Sequence, residues 1–385
     1  IPPFAGYRTK ILNKDAGRTK DIYELSKWMG IDYVFLDTAV GDTPDNFPLD
    51  YWKPVFTFET FEIRQLKELQ TIFEHSTKPT VLVIGSSSDN AYESVFRTMV
   101  QGGLAFEEAS LVDGGERLDA YSAQTLQAFN MIILYGYKYE ERKSATVWNN
   151  LKKYVEQGGT LVIETGFQYV SPHWQSQQLP EVFPVEGTMW REFRRWQLSP
   201  PADFGAPSYN AGPWGASVAT AVRPWAKPLV ADATTGSVLV AAGTLGKGSV
   251  VWSGMHLFAL KDAVAQRRAE ALVHSLIVPL LPAGQKINDI TAVRPKPEKV
   301  IINLTQNEKD TSFYFREAYF PDWKARTLSG KKLPIRKAGP WFMLVRVPAG
   351  EAGVVFEFVP SVVTYASSAI SLGSVILLIL FVWFS

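Results

Sequence analysis

"GGTLVIETGFQ", residues 158–168, decides how the middle of the chain reads. Gly158 and Gly159 stop a helical pattern, Thr160 to Glu164 make a short strand, and Gly166 opens a tight turn. A glycine stop, a continuous apolar run and a turn give the outline of a nucleophile elbow at the end of a buried parallel strand. The nucleophile position holds Glu164, followed by Thr165.

Outward from that turn, strands and helices alternate. "TVLVIGSS" (80–87) is a continuous apolar run with a Gly/Ser end, and "NAYESVFRTMVQGGL" (90–104) is a helix closed by Gly-Gly. "FEEASLVDG" (106–114) gives a second strand. "LDAYSAQTLQAFNMIILYG" (118–136) gives a helix and a third, and "SATVWNNLKKYVEQGG" (144–159) gives the amphipathic helix before the elbow. This interval predicts a doubly wound parallel sheet, an α/β fold. Residues 170–230 read as a long irregular segment rich in Pro, Trp and Gly. They place Trp174, Trp190, Arg194 and Trp214 near the carboxyl ends of the strands, where open α/β sheets bind ligands. A Trp and Arg set fits a sugar ring, a lipid phosphate or a protein surface equally.

Composition excludes several chemistries. The 385 residues hold 39 Lys+Arg against 38 Asp+Glu, so no global field points to nucleic acid. There is no cysteine, which removes disulfides, thiolate metal sites and any thiol nucleophile. The four histidines show no H-x-x-x-H ligand spacing, and no cofactor or metal is expected. "GTLGKGS" (243–249) lacks Walker spacing and lies between strand patterns, so a hairpin turn is the expectation. "IGSSSDN" (84–90) reads as a helix N-cap at Ser88 or Asp89. "NLT" at Asn303 is a sequon.

The ends differ from the middle. "KDIYELSKWMGIDYVFLD" (20–37) gives a helix, a Gly30 stop and a strand, and "PVFTFETFEIRQL" (54–66) a hairpin. After "RPKPEKV" the strands are short and separated by Gly, Pro and Asn, as in a β-sandwich. Val362 to Phe384 runs without a charge, enough to cross a core of about 30 Å, with Tyr365 and Trp383 as interfacial anchors. The absence of an initial Met reads as processing or truncation. The expected divisions are a small α/β segment (1–75), the parallel-sheet domain (76–284), the sandwich (285–360) and one transmembrane helix (361–385).

On these motifs the middle segment, about 78–282, resembles the class I glutamine amidotransferase-like fold, a flavodoxin-like domain. That family's turn reads G-x-C-x-G-x-Q, and a later strand carries a histidine. "ETGFQ" sets Glu164 at the cysteine's position, and "VVWSGMHLF" sets His256 at the histidine's, followed by Leu257 and Phe258 rather than Pro-Glu. Amide hydrolysis by this route needs a thiolate nucleophile, so the resemblance implies a degenerate, pseudoenzyme domain. A Glu–His pair capable of acid–base work is the competing reading, against a turn-capping Glu164 and a core His256.

"AYFPDWKARTLSGKKLPIRKAGPWFMLVRVPAGEAGVVFEFVPS" (318–361) resembles the C-terminal extracytoplasmic region of polytopic C-superfamily glycosyltransferase-like (pyruvoyl-tetrahydropterin-synthase-related) membrane proteins. "WMGIDYVFLDT" (28–38) and "VFTFETFEIRQL" (55–66) resemble the segment following their multi-span region. The resemblance implies a membrane-anchored, extracytoplasmic, non-catalytic binding or assembly module, with the bilayer, an integral membrane protein and a glycan as partners. The alternative it implies is the C-terminal part of a glycosyltransferase using lipid-linked sugars, whose reacting residues would lie elsewhere. The small residues Ala369, Gly373, Ser367 and Ser371 would suit a partner helix.

Overall fold

The structure is a computed structural model. It describes residues 19–40, 45, 47–68, 72–86, 90–136, 145–165, 178–192, 195–199, 208–210, 215–258, 263–287, 290–305 and 307–360, together with 374 and 383. The chain runs α1 (Thr19–Met29), β1 (Tyr33–Asp37), β2 (Trp52–Phe58), β3 (Phe61–Leu66), β4 (Phe73–Ser76), β5 (Thr80–Gly85), α2 (Ala91–Gln101), β6 (Ser110–Asp113), α3 (Ala123–Leu126), β7 (Met131–Tyr135), α4 (Ala145–Glu156) and β8 (Thr160–Glu164). It continues through β9 (Val185–Arg191), β10 (Arg195–Ser199), β11 (Ser208–Asn210), β12 (Ala216–Val222), β13 (Ala226–Asp232), β14 (Val238–Leu245), β15 (Gly248–Ser253) and α5 (Ala263–Leu276). The last strands are β16 (Lys286–Ile287), β17 (Ile290–Lys296), β18 (Lys299–Leu304), β19 (Thr311–Phe315), β20 (Trp323–Thr327), β21 (Lys332–Leu333), β22 (Arg336–Ala338), β23 (Phe342–Val347) and β24 (Gly353–Phe358). Two compact units emerge, one of residues 1–71, 78–285 and 338–340, the other of 72–77, 286–337 and 341–385.

In the first unit, strands lie in the order β11-β10-β13-β14-β15-β8-β7-β5-β6. From β15 to β6 they pair in parallel; β14, β13, β10 and β11 extend the sheet antiparallel. β5, β7 and β8 are buried end to end, because Val, Leu and Ile on both faces have protein on either side. Burying each such side chain contributes about 1.5–3 kcal/mol. α4 turns Val147, Trp148, Leu151, Tyr154 and Val155 inward, at helical spacing. Its Gly-Gly exit has a steric cause: a Cβ on Gly159 would sit 2.2 Å from the Tyr154 ring, so only glycine lets β8 begin there.

The small sheet β1-β3-β2 packs with α1 on Ile22, Val34, Leu36, Phe47, Trp52 and Leu66. Trp28 of α1, fully buried, meets Phe96 and Phe106 edge-on at 5.2 and 5.0 Å. The second unit has two antiparallel sheets, β23-β19-β4-β16 and β17-β18-β24-β20-β21. Val300, Ile302, Phe313, Phe315, Trp323, Met343, Val345, Val354 and Phe356 form one apolar cluster in it.

Two expectations are corrected. The flavodoxin-like, amidotransferase-like α/β architecture is not what the chain adopts: 44% of the described residues are strand and 19% helix. A doubly wound sheet needs about one covering helix per strand, whereas here the parallel strands are the middle of a longer mixed sheet. The stretch expected to be irregular supplies β9 to β13, strands whose buried and exposed residues do not alternate cleanly. The transmembrane helix, and with it the membrane placement on the extracytoplasmic side, is also set aside. Among the described residues no helix is long and apolar enough to cross a membrane. α5, with 14 residues, spans only about 21 Å at the helical rise. Residues 361–385, on which the span was placed, lie outside the described residues apart from Ser374 and Trp383.

Candidate functional site

Parallel pairing puts four residues in one row at the carboxyl ends of the strands. Gly85 stands beside Tyr135, Tyr135 beside Glu164, and Glu164 beside Ser253. The row ends the ladder, where backbone groups must find new partners. Gly136 N–H donates to the Glu164 carbonyl at 3.0 Å, and Thr165 N–H donates to the Ser253 carbonyl at 2.9 Å. Trp252 Nε1–H donates to Thr165 Oγ1 at 3.1 Å. Thr165 is thus a buried tie between two strands.

The turn after β15 delivers His256. Ser253 Oγ donates to the Met255 carbonyl and accepts from Met255 N–H, which folds the chain back over the strand end. Gly254 accepts from Ser217 N–H and donates to the Leu239 carbonyl. A Cβ on Gly254 would lie 1.9 Å from the Ser217 carbonyl oxygen, so β12 approaches this turn only because the residue is glycine. His256 ends with its ring 6.4 Å from that of Trp190, at 76°. Phe258 meets Tyr135 edge-on at 5.8 Å.

Burial sets the chemistry. Glu164 is 0% exposed and His256 2%. Burial alone pushes the His256 imidazole from 6.5 down to about 4, so the ring is neutral at pH 7. A general acid or base must reach the proton it moves, and both side chains lie under the surface.

Of the ligand residues expected from sequence, Trp190 is half-buried on β9 and touches the His256 ring. Trp174, Arg194 and Trp214 lie outside the described residues, as do Gly166, Phe167, Gln168, Ser88 and Asp89; the N-cap of α2 is Asn90 rather than Ser88 or Asp89. Trp196, from the same segment, is a fully buried core residue. "GTLGKGS" forms the β14–β15 hairpin, closed by Leu245 opposite Gly248. Among the described residues no group of three His, Asp or Glu side chains is placed to hold a metal.

Sequence reasoning missed a buried cation. Lys27 of α1, 5% exposed, lies 2.7 Å from Glu107, 3.6 Å from Glu68 and 3.7 Å from Glu24. Burial lowers its pKa, but the Glu107 hydrogen bond and the three carboxylates outweigh that and hold it above the usual lysine range. Glu107 is raised by burial and lowered more by Lys27, ending below the usual carboxylate range. The Glu24/Lys27 spacing was visible; Glu68 and Glu107 come from distant sequence.

No family model matches the chain, and no curated protein matches it. Solved structures similar to parts of it include a β-galactosidase from Bacillus circulans sp. alkalophilus, 13% identical with a TM-score of 0.37, covering 73% of this chain and 42% of that one. A cytoplasmic protein from Salmonella typhimurium is 12% identical at a TM-score of 0.36, over 53% of this chain and 99% of that chain. An arabinofuranosyltransferase from mycobacteria is 20% identical at a TM-score of 0.18, over 20% of this chain and 6% of that one. The chain spans about two fifths of the galactosidase's length. Likenesses this low carry no argument about activity.

Proposed function

We propose that this chain is a non-catalytic binding or assembly module. One observation carries the reading: Glu164 at the end of β8 and His256 in the turn after β15 are both shut away from solvent. A neutral, enclosed imidazole beside a carboxylate-bearing strand end suits support of a turn better than proton transfer to a diffusing substrate. The ligand class proposed is a saccharide, because the half-buried Trp190 ring offers an apolar stacking face beside a neutral imidazole.

The second reading makes the chain the C-terminal part of a glycosyltransferase of the C-superfamily kind. The segment Ala318–Ser361 favours it through its resemblance to the terminal domain of such proteins. On that reading the reacting carboxylates are supplied by sequence outside this chain.

A saccharide array and a panel of chromogenic esters, phosphates and glycosides test both. The module reading expects no turnover of any chromogenic substrate, and saccharide retention weakened about tenfold by Trp190→Ala. Turnover that disappears in Glu164→Gln would overturn it. Retention of no saccharide would remove the glycan and leave assembly alone.

A further inference from the structure

We infer that the outer face of the five-stranded sheet in the second unit docks an acidic, amphipathic segment of a partner protein. The inference goes beyond the module reading and rests on different residues. Between Trp323 and Pro340 the sequence carries Lys324, Arg326, Lys331, Lys332, Arg336 and Lys337 and no acidic residue. The strand register gathers part of that charge. Side chains that alternate away from the apolar cluster form two rows across the sheet. One row reads Lys332, Arg326, Val355, Ile301, Val293. The next reads Lys324, Glu357, Lys299, Lys296.

The charge in these rows is lopsided. Glu357 is the one acidic residue in them, and it lies 3.7 Å from Lys299. Lys296, Lys324 and Lys332 are exposed, and Arg326 and Lys299 half-buried. Arg326 stands directly opposite Lys332, an arrangement that costs stability in an antiparallel pair. An acidic group laid across this face would offset that repulsion.

The apolar half of the row selects the kind of anion. Val293 is 56% exposed and Ile301 half-buried beside it, with Val355, 3% exposed, between them and Arg326. Neither row holds an aromatic ring, so an unstacked base finds no platform. A polyphosphate or nucleic acid backbone has no aliphatic groups to lay on Val293 and Ile301. A protein segment with Leu or Val on one face and Glu or Asp on the other satisfies both halves.

The test uses the full chain and a labelled synthetic peptide with Leu on one helical face and Glu on the other. Competing probes are inorganic polyphosphate, a single-stranded oligonucleotide, phosphatidylglycerol vesicles and the same peptide with Lys for Glu. The expected result is capture of the Glu peptide alone, falling as salt rises and at least about tenfold weaker in Arg326→Glu/Lys332→Glu. Val293→Ser should weaken capture too, and Lys309→Glu, outside these rows, should not. Arg326→Thr guards against misfolding: removing the like-charge pair should raise the unfolding midpoint while capture weakens. Should Arg326→Glu/Lys332→Glu not fold, Lys324→Gln/Lys296→Gln gives the same reading. Failure of the Glu peptide to bind, or binding that ignores these substitutions, overturns the proposal. So does preferential binding of polyphosphate, oligonucleotide or vesicles through the same residues.

Discussion

The ring of Trp190 stands 6.4 Å from the ring of His256, edge against face at 76°, and the histidine behind it is 2% exposed. Burial is what keeps that imidazole near 4 rather than 6.5. Trp190→Ala removes one wall, readmits water and should move the His256 pKa upward, toward 6.5. A nuclear magnetic resonance titration of the imidazole protons follows the shift directly. A pKa unmoved in Trp190→Ala would mean that other residues supply the burial.

The same displaced titration makes stability depend on pH. His256 is depressed in the folded state, so the unfolded chain binds its proton first as pH falls below 6.5. Stability from keeping the ring neutral is complete above 6.5 and is lost progressively down to about 4. The depression corresponds to about 3 kcal/mol at the acid end. Denaturant unfolding from pH 7 to pH 4 should therefore show a steeper loss in the native protein than in His256→Gln. Parallel curves would show that the ring titrates normally.

Legibility from sequence followed how locally each feature is encoded. The Gly30 stop of α1, the apolar runs of β5, β7 and β8, and the β14–β15 hairpin are set by residues adjacent in the chain, and the structure has each. The sheet's antiparallel extension beyond β14 was not legible. β13 shows a half-exposed pattern, and pairing with β14 makes it a strand. The row Gly85, Tyr135, Glu164, Ser253 was half visible: the elbow marked Glu164, while its neighbours depend on strand order. The Lys27 cluster was not legible because two of its three carboxylates lie far off in sequence.

That lysine yields a contrast between two substitutions. Lys27→Met replaces a buried cation with a side chain of similar volume; the carboxylates at positions 68 and 107 are 65% and 47% exposed and reach water, and Glu24, 14% exposed, stands 3.7 Å off and loses only a distant partner. The change should cost less than about 1 kcal/mol. Glu107→Ala leaves the cation buried with its nearest partner gone and the others at 3.6 and 3.7 Å. That should cost about 1–2 kcal/mol, less than a fully stranded charge because two carboxylates stay near. Urea unfolding of the two variants gives the order. Lys27→Met costing more than Glu107→Ala would contradict this account of the pair.

Gly254 offers the sharpest steric prediction. Its place between the Leu239 carbonyl, which it donates to, and Ser217, which donates to it, leaves no room for a methyl group. In Gly254→Ala the new carbon meets the Ser217 carbonyl oxygen at 1.9 Å, so β12 must shift or the turn must open. Because the obstacle is backbone rather than a flexible side chain, the cost should reach about 3 kcal/mol. Opening the turn should also loosen His256 from Trp190, so two readouts move together: a lower unfolding midpoint and a higher imidazole pKa. Gly236→Ala, at a positive φ with nothing within 4 Å of the new carbon, is the matched control. It should cost only about 1 kcal/mol of stability, through backbone strain alone, and leave the imidazole where it was.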